Sequence, residues 1–557
     1  MSFFAGIRVR RTATLFFLGA LPSLLFAIYT RHAWEDWFIT FRAAKNLATG
    51  NGLVFQPGQI LQTFTSPLNV MIPAGLSWIT GSVHDELVLW LYRLICIALL
   101  GATTVLLDRI ARQQGLSRPV LFLLPAFFLC DAKIMDFSIN GQEAAFMMFF
   151  LVLQLVALLE RRELLLGFAW GGLMWSRPDS FVYIGGAVAG YLLHLWLNER
   201  SHLVPTLRLM GRSGLMGALI YAPWLVGTTW YYGSPVPHTI IAKGLLHTPD
   251  LTDKLVGLLV FPIRCVVNIP PALLDGFAMP PSVLNDVFMP SYYVLGGWPD
   301  GLVLLGRVLA CLAVLAWMLP GMSVLVRICS LAAFAGTYYL QIFPAQVYPW
   351  YLPSCALMCI VTLAGLLELG LQAARNNVFL RRSLLGVAAT AVLVWFGVAL
   401  CMAREMRVQQ ALIESGQRKQ IGLWLKQHAV TAQDTVFLEC LGYIGFYSNL
   451  KMYDFPGMSS PEMVAARRLN GDWWPLLIGS LHPDWLVLRA GEVSAVAGEV
   501  PEHYRLMARF DQSAAVAAVA FLPGRGYLRF DQTFLVYHRI DAHAQQAPGA
   551  ITSTKGG

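Results

Sequence analysis

Charge is scarce in this chain. Only 13% of its 557 residues are Asp, Glu, Lys or Arg, where an ordinary soluble domain carries about 25%. An ordinary soluble globular chain is therefore excluded. Redox and metal signatures are missing as well: the nine cysteines contain no CxxC and no metal-ligand spacing. Most lie inside apolar runs, where Cys behaves as a small hydrophobe. Cys355 and Cys359 share one helix face, but no His or acid stands beside them. No internal repeat is evident. The net charge of +8 raises the possibility of nucleic-acid binding. The arginines answer it: they sit in short loops between apolar runs and not in a basic groove, so no nucleic-acid partner is expected.

What is abundant is apolar sequence. Hydrophobic residues make up 57% of the chain and the mean hydropathy is +0.58. They come in runs of about 17 to 22, enough to cross a bilayer. The fold class expected is a polytopic α-helical membrane protein of about eleven transmembrane helices. Arg8, Arg10 and Arg11 precede the first run, Thr12 to Tyr29. A signal peptide starts in the same way, but the many later runs favour an uncleaved anchor with its N-terminus in the cytoplasm. Further spans are read near Leu87–Leu107, Pro119–Cys130, the stretch ending at Leu159, the stretch ending at Ser176, and the stretch ending at Asn198. A seventh ends at Trp230-Tyr231-Tyr232. The last four lie near Gly301–Leu319, Ser323–Ile342, Tyr351–Leu371 and Ser383–Met402. Every short loop assigned to the cytoplasm carries Arg, and that parity puts the C-terminal part outside.

Residues 1–403 form the expected transmembrane domain, with a long first external loop at 31–86 and a second at 233–300. From about Arg404 the composition turns soluble. Gln409 to His428 has helical spacing, and Thr435–Leu438, Trp485–Leu488 and Thr533–Tyr537 read as strands. Residues 404–541 are thus expected to be a small extracytoplasmic α/β domain, followed by a disordered tail at 542–557.

Glu35-Asp36 stands out from this background. Two adjacent carboxylates sit where an apolar run gives way to water, flanked by Trp34 and Trp37, with Arg42 within two helical turns. Such a group suits chemistry on a charged, lipid-linked molecule; it also suits a solvated pair capping a short interfacial helix. Other polar clusters fall on the same expected side: Asn140 to Glu143, Arg177-Pro178-Asp179, and Gly233 to His238 with Lys243. Each has a plainer reading as a helix start, a local ion pair or a snorkelling lysine. Tyr348-Pro349-Trp350-Tyr351 is most simply an interfacial aromatic belt. A lipid-linked phosphate would need cations such as Arg177 or Lys243 near the interface.

The run from Glu35 to Arg42, then Gly50-Asn51-Gly52-Leu53-Val54, then Thr63 to Leu68, resembles the start of a GT-C membrane glycosyltransferase. The subgroup it resembles is the terminal arabinofuranosyltransferases, of the mycobacterial cell-wall type and of the Gram-negative type that modifies type IV pilin. Gly141-Gln142-Glu143, Arg177-Pro178-Asp179, Tyr232 to Lys243 and Gly442 to Ser448 extend the likeness along most of the chain. In the family the acid pair is two Asp, or Glu then Asp, which favours Asp36 over Glu35 as the base. His238 stands where relatives often have Asn, and Asp179 where many have Glu. The resemblance implies transfer of a sugar, arabinofuranose in this subgroup, from a polyprenyl-phosphate donor to a hydroxyl on a cell-surface glycan or a protein such as pilin. It implies a bacterial cytoplasmic membrane location with the site facing the periplasm. It also implies roles: Asp36 as general base supported by Glu35, and Arg42, Arg177, His238, Lys243 and Glu143 toward the donor. Tyr443 is placed near the acceptor. Some GT-C enzymes use a divalent metal; beyond Glu35-Asp36 no ligand set is visible, so no cofactor is assigned. A lipid-sugar flippase and a non-catalytic assembly subunit are the alternatives from other classes.

Overall fold

A computed structural model describes residues 2–245, 250–266, 282–344, 347–498, 500–520 and 522–540. The expected tail at 542–557 and part of the loop at 233–300 lie outside them. The chain divides into two compact units. The first is residues 1–410 with 520–527, and the second is 411–519 with 528–557.

The first unit is helical. Its helices in chain order are α1 (Ser2–Thr30), α2 (Glu35–Ala48), α3 (Pro67–Ile79), α4 (Asp85–Gln113), α5 (Arg118–Cys130) and α6 (Ala132–Ile139). There follow α7 (Ala144–Leu159), α8 (Glu163–Ser176), α9 (Phe181–Asn198), α10 (Leu203–Tyr232), α11 (His238–Gly244) and α12 (Leu251–Val266). The set closes with α13 (Ser282–Asp286), α14 (Asp300–Leu315), α15 (Val324–Ile342), α16 (Pro353–Ala373) and α17 (Val378–Gln409). Side-chain caps start several of them. Ser66, Asp131, Ser323 and Asn377 each accept the backbone N–H three residues on, satisfying a donor that the helix itself leaves unpaired.

The expectation of about eleven spans is corrected here. Among the described residues, seven helices are long and apolar enough to cross a membrane, or eight if the bent pair α6–α7, with its 116° break, counts as one. The reason is length. The run read as a third span folds as α5, of 13 residues, and the run read as a fifth folds as α8, of 14. A straight crossing needs about 20. Composition alone does not separate a short buried helix from a span. α10 is 30 residues long, but Arg208, Arg212 and its Gly and Thr residues dilute its apolar content, and it too falls outside the seven. Where helices do pack, small residues set the distance. A Cβ on Gly190 of α9 would lie 2.5 Å from the Arg327 carbonyl oxygen of α15, and one on Gly186 would meet Ala332 Cα at 2.7 Å. The Gly-x-x-x-Gly pair therefore lets the two backbones touch.

The second unit holds a five-stranded mixed sheet: β1 (Thr435–Leu438), β2 (Lys451–Asp454), β3 (Trp485–Arg489), β4 (Tyr504–Asp511) and β5 (Thr533–Arg539), in the order β2-β1-β3-β5-β4. β1 is parallel to β2 and β3, with Phe437 beside Tyr453 and Leu486. β5 runs antiparallel to β3 and β4. Its longer helices are α18 (Lys419–His428), α19 (Leu441–Ser448), α20 (Pro461–Asn470) and α21 (Trp474–Leu481). Phe437, Met463, Leu477, Ile478, Leu486 and Leu488 form its apolar core; burying each such side chain contributes about 1.5–3 kcal/mol over leaving it exposed. A buried ionic chain crosses the same unit. Arg418 bonds Glu414 at 2.9 Å and Asp531 at 2.7 Å, and Arg489 bonds Asp531 and Glu492.

Candidate active site

Glu35 and Asp36 are the first two residues of α2, where the helix's unpaired N–H groups favour negative charge. Both are half-buried. The helix start is fixed from below. The Trp34 backbone N–H donates to the Asn140 carbonyl at 3.0 Å, and its indole N–H donates to the Asp136 carboxylate at 3.1 Å. The Trp34 ring stacks on Phe137. The inner face of α2 is apolar: Trp37 and Phe41 stack at 5.2 Å and are fully buried. Trp37 meets Gly141, whose φ is +94° and whose Cβ, if it had one, would lie 2.8 Å from the Trp37 Cβ. That contact requires glycine both for its conformation and for its size.

At the far end of α2, Lys45 bonds Asp85 at 2.7 Å and ties it to α4. Asn46 donates to the carbonyls of Val54 and Phe55. Arg42 turns into this same loop: it is buried, stacks over Phe55 at 4.2 Å and donates to Gln56. The loop is held from α10 as well, through the Tyr232 hydroxyl on the Leu53 carbonyl and through Phe64 between Trp224 and Tyr232.

The cations come from elsewhere in the first unit. Lys243, in α11, lies over the Tyr348 ring at 4.5 Å and the Trp350 ring at 5.4 Å. Burial alone would lower its pKa; Tyr351, Asp36 and Tyr348 outweigh that and, against Arg177, hold it above the ordinary lysine value. Lys243 is thus a cation in an aromatic cage, attracted to Asp36. Arg177 is placed differently. Its guanidinium bonds Glu143 at 2.6 Å and grips Asp179 with two N–H groups, at 2.8 and 2.9 Å. Its plane lies over Tyr351 at 4.5 Å.

Tyr351 therefore lies between Lys243 and Arg177, with Asp36 acting on Lys243 and Glu143 bonded to Arg177. His238 begins α11, its backbone N–H on the Gln62 carbonyl at 3.1 Å. Arg42 points into the first loop. Tyr443 belongs to the second unit, where it is buried in α19 against Tyr447. The sequence reading did not foresee four contributors. Tyr348, Trp350 and Tyr351 were legible only as an interfacial belt, although their density beside a proline was a signal. Asp136, which holds Trp34, is one of several polar residues between Asp131 and Glu143, and nothing in its spacing singled it out. Among the described residues, no three His, Cys, Asp or Glu side chains converge to hold a metal. Glu35 and Asp36 alone fall short of a protein ligand set, so the chemistry below is derived from the chain's own groups.

Comparison with known proteins supplies the fold's relatives. Residues 404–537 match a family described as a domain of unknown function, DUF8728. The terminal β-(1→2)-arabinofuranosyltransferase of Corynebacterium glutamicum is 27% identical over 259 residues, 41% of this chain. The match spans only 36% of that relative's length. Among solved structures, ArnT from Cupriavidus metallidurans bound to undecaprenyl phosphate aligns at a TM-score of 0.50 and 13% identity, over 99% of this chain and 100% of that one. The Archaeoglobus fulgidus oligosaccharyltransferase, in complex with Zn and sulfate, aligns at 0.53 and 13% identity, over 87% of this chain and 70% of that one.

Proposed function

We propose that this chain, whose fold is that of the GT-C membrane glycosyltransferases, transfers a sugar from a polyprenyl-phosphate donor to a hydroxyl acceptor. The observation that carries the reading is a caged cation, Lys243 over the rings of Tyr348 and Trp350, within electrostatic reach of the half-buried Asp36 at the start of α2. The carboxylate removes the acceptor proton as the acceptor oxygen attacks the anomeric carbon. The bond from that carbon to the donor phosphate oxygen breaks, and the phosphate leaves on the lipid with its electron pair. Lys243 offsets the charge that grows there. The proton passes from Asp36 to solvent, and the products are the glycoside and free polyprenyl phosphate.

Arg177 plays an indirect part in this scheme. Two carboxylates already neutralise it, so it positions Glu143, Asp179 and Tyr351. Glu35 supports Asp36. The likeness to the corynebacterial relative supports arabinofuranose as the sugar, and a cell-surface glycan or protein as the acceptor. The positive-inside pattern supports a periplasmic site in the cytoplasmic membrane.

Asp36→Asn keeps shape and removes basicity. In purified protein it is expected to lower transfer by at least the roughly 10²–10⁴-fold that general acid–base catalysis contributes, while donor binding and thermal stability stay near the parent's. Transfer by Asp36→Asn at the parent rate would remove Asp36 as the base.

A further inference from the structure

The loop between α2 and α3 and the start of α11 meet at one point, where the His238 N–H bonds the Gln62 carbonyl. Three polar side chains gather at this junction. Gln62 is 4% exposed, Thr63 3% and Thr239 6%. The Gln62 carboxamide oxygen and the Thr63 and Thr239 hydroxyls are buried and have no hydrogen-bond partner among the described residues. Folded proteins pair nearly all such groups, because a buried polar atom left without a partner is costly. One orphan is unremarked; three at one junction point to a ligand.

Their placement says which part of the ligand. Thr239 stands four residues before Lys243, so the two share one face of α11. Lys243 is the cation attracted to Asp36. The junction therefore lies one helical turn from the phosphate-holding cation, the distance at which a sugar attached to that phosphate would sit. Nor is the loop a loose one whose side chains point at random. Asn46, Tyr232 and Phe64 pin it, and Ser66 caps α3 three residues after Thr63. The chemistry of the three groups is that of polyol recognition: one carbonyl oxygen that accepts, and two hydroxyls that donate and accept.

We infer that Gln62, Thr63 and Thr239 form the wall that hydrogen-bonds the hydroxyls of the donor sugar. This rests on the donor reading above and deepens it: the chain recognises the sugar as well as its lipid phosphate. A site built this way discriminates against a sugar lacking the hydroxyl it pairs.

The test measures binding by the full chain in lipid nanodiscs of three probes: polyprenyl-phosphate arabinofuranose, the same lipid with one sugar hydroxyl removed, and bare polyprenyl phosphate. The parent is expected to bind the complete donor at least about tenfold more tightly than bare polyprenyl phosphate, and removing a paired sugar hydroxyl costs about tenfold. Thr63→Val and Thr239→Val are each expected to lose about tenfold of that preference and to leave affinity for the bare lipid unchanged. Their thermal stability should hold or rise, since an unpaired buried hydroxyl is gone. Thr63→Ser, which keeps the hydroxyl, should restore the preference. A parent that binds donor, deoxy donor and bare lipid alike overturns the inference without any variant. So do valine variants that keep the sugar preference. A parent that transfers sugar with no such preference sinks this wall and leaves the function standing. A preference lost in the valine variants of a protein that transfers nothing does the reverse.

Discussion

Lys243 and Arg177 are both cations against the Tyr348–Tyr351 aromatics, yet their surroundings give them different work. Lys243 touches ring faces and is drawn to Asp36, with no carboxylate bonded to it among the described ion pairs. Its charge remains available to a phosphate. Arg177 is 8% exposed and bound to two acids. Lys243→Gln is expected to weaken binding of polyprenyl phosphate by the roughly 1.5–3 kcal/mol of a charge-assisted hydrogen bond, with little change in melting temperature. Arg177→Ala leaves Glu143 buried without its partner, which costs about 3–5 kcal/mol of stability for a buried pair. Calorimetric titration and thermal unfolding of both variants separate the two roles. A stable Arg177→Ala protein that has lost phosphate affinity would exchange them. The sequence named these residues because charge is rare near apolar runs. It did not reveal which cation was already neutralised, since that depends on a side chain 34 positions away in the chain, Glu143.

At the scale of elements, α2 depends on the turn at Gly141. Gly141→Ala would put a Cβ within 2.8 Å of Trp37 at a positive φ, and such a change typically costs about 1–3 kcal/mol. Because Trp37 follows Asp36 directly, the strain reaches the helix that carries the proposed base. Transfer is expected to fall along with melting temperature, and a variant as stable and active as the parent would show that the α2 start tolerates displacement. Element legibility followed burial. β1 and the starts of β3 and β5 were readable because they are apolar runs in a mostly soluble stretch. β2 alternates Lys451, Met452, Tyr453 and Asp454, and four residues are too few to announce a period. β4 pairs on one side only and exposes much of its length, so the apolar signal of a strand is weak there. The helices failed in the opposite sense: apolar content was so high that α5 and α8 passed for spans until their lengths were known.

For the molecule as a whole, orientation and the ionic chain of the second unit both give tests. The arginine distribution supports the proposal that residues 411–540 lie outside the cytoplasm. A cysteine at the exposed Ser480 is expected to react with a membrane-impermeant thiol reagent in intact spheroplasts; labelling only after lysis would reverse the site's side. Within the second unit, burial pushes the Asp531 carboxyl up, but Arg418 and Arg489 outweigh it and hold it below the ordinary carboxylate value. A depressed carboxyl contributes stability above its unfolded pKa, about 3.9, and loses it as pH falls through the folded value. Hydrogen exchange in this unit should therefore be insensitive to this group between about pH 5 and 8 and rise below about pH 4. Asp531→Asn should remove the acid-side change and lower protection at neutral pH. Equal protection in parent and variant at pH 7 would deny the chain its structural role.

The proposed chemistry makes one product for each lipid released. Purified parent protein in nanodiscs, given polyprenyl-phosphate arabinofuranose and a hydroxyl acceptor, should form the glycoside and free polyprenyl phosphate in equal amounts. Asp36→Asn, still binding the donor, should form neither at an appreciable rate. A parent protein that moves the lipid-linked sugar between leaflets and leaves it intact on its phosphate would contradict the central claim and make the chain a transporter.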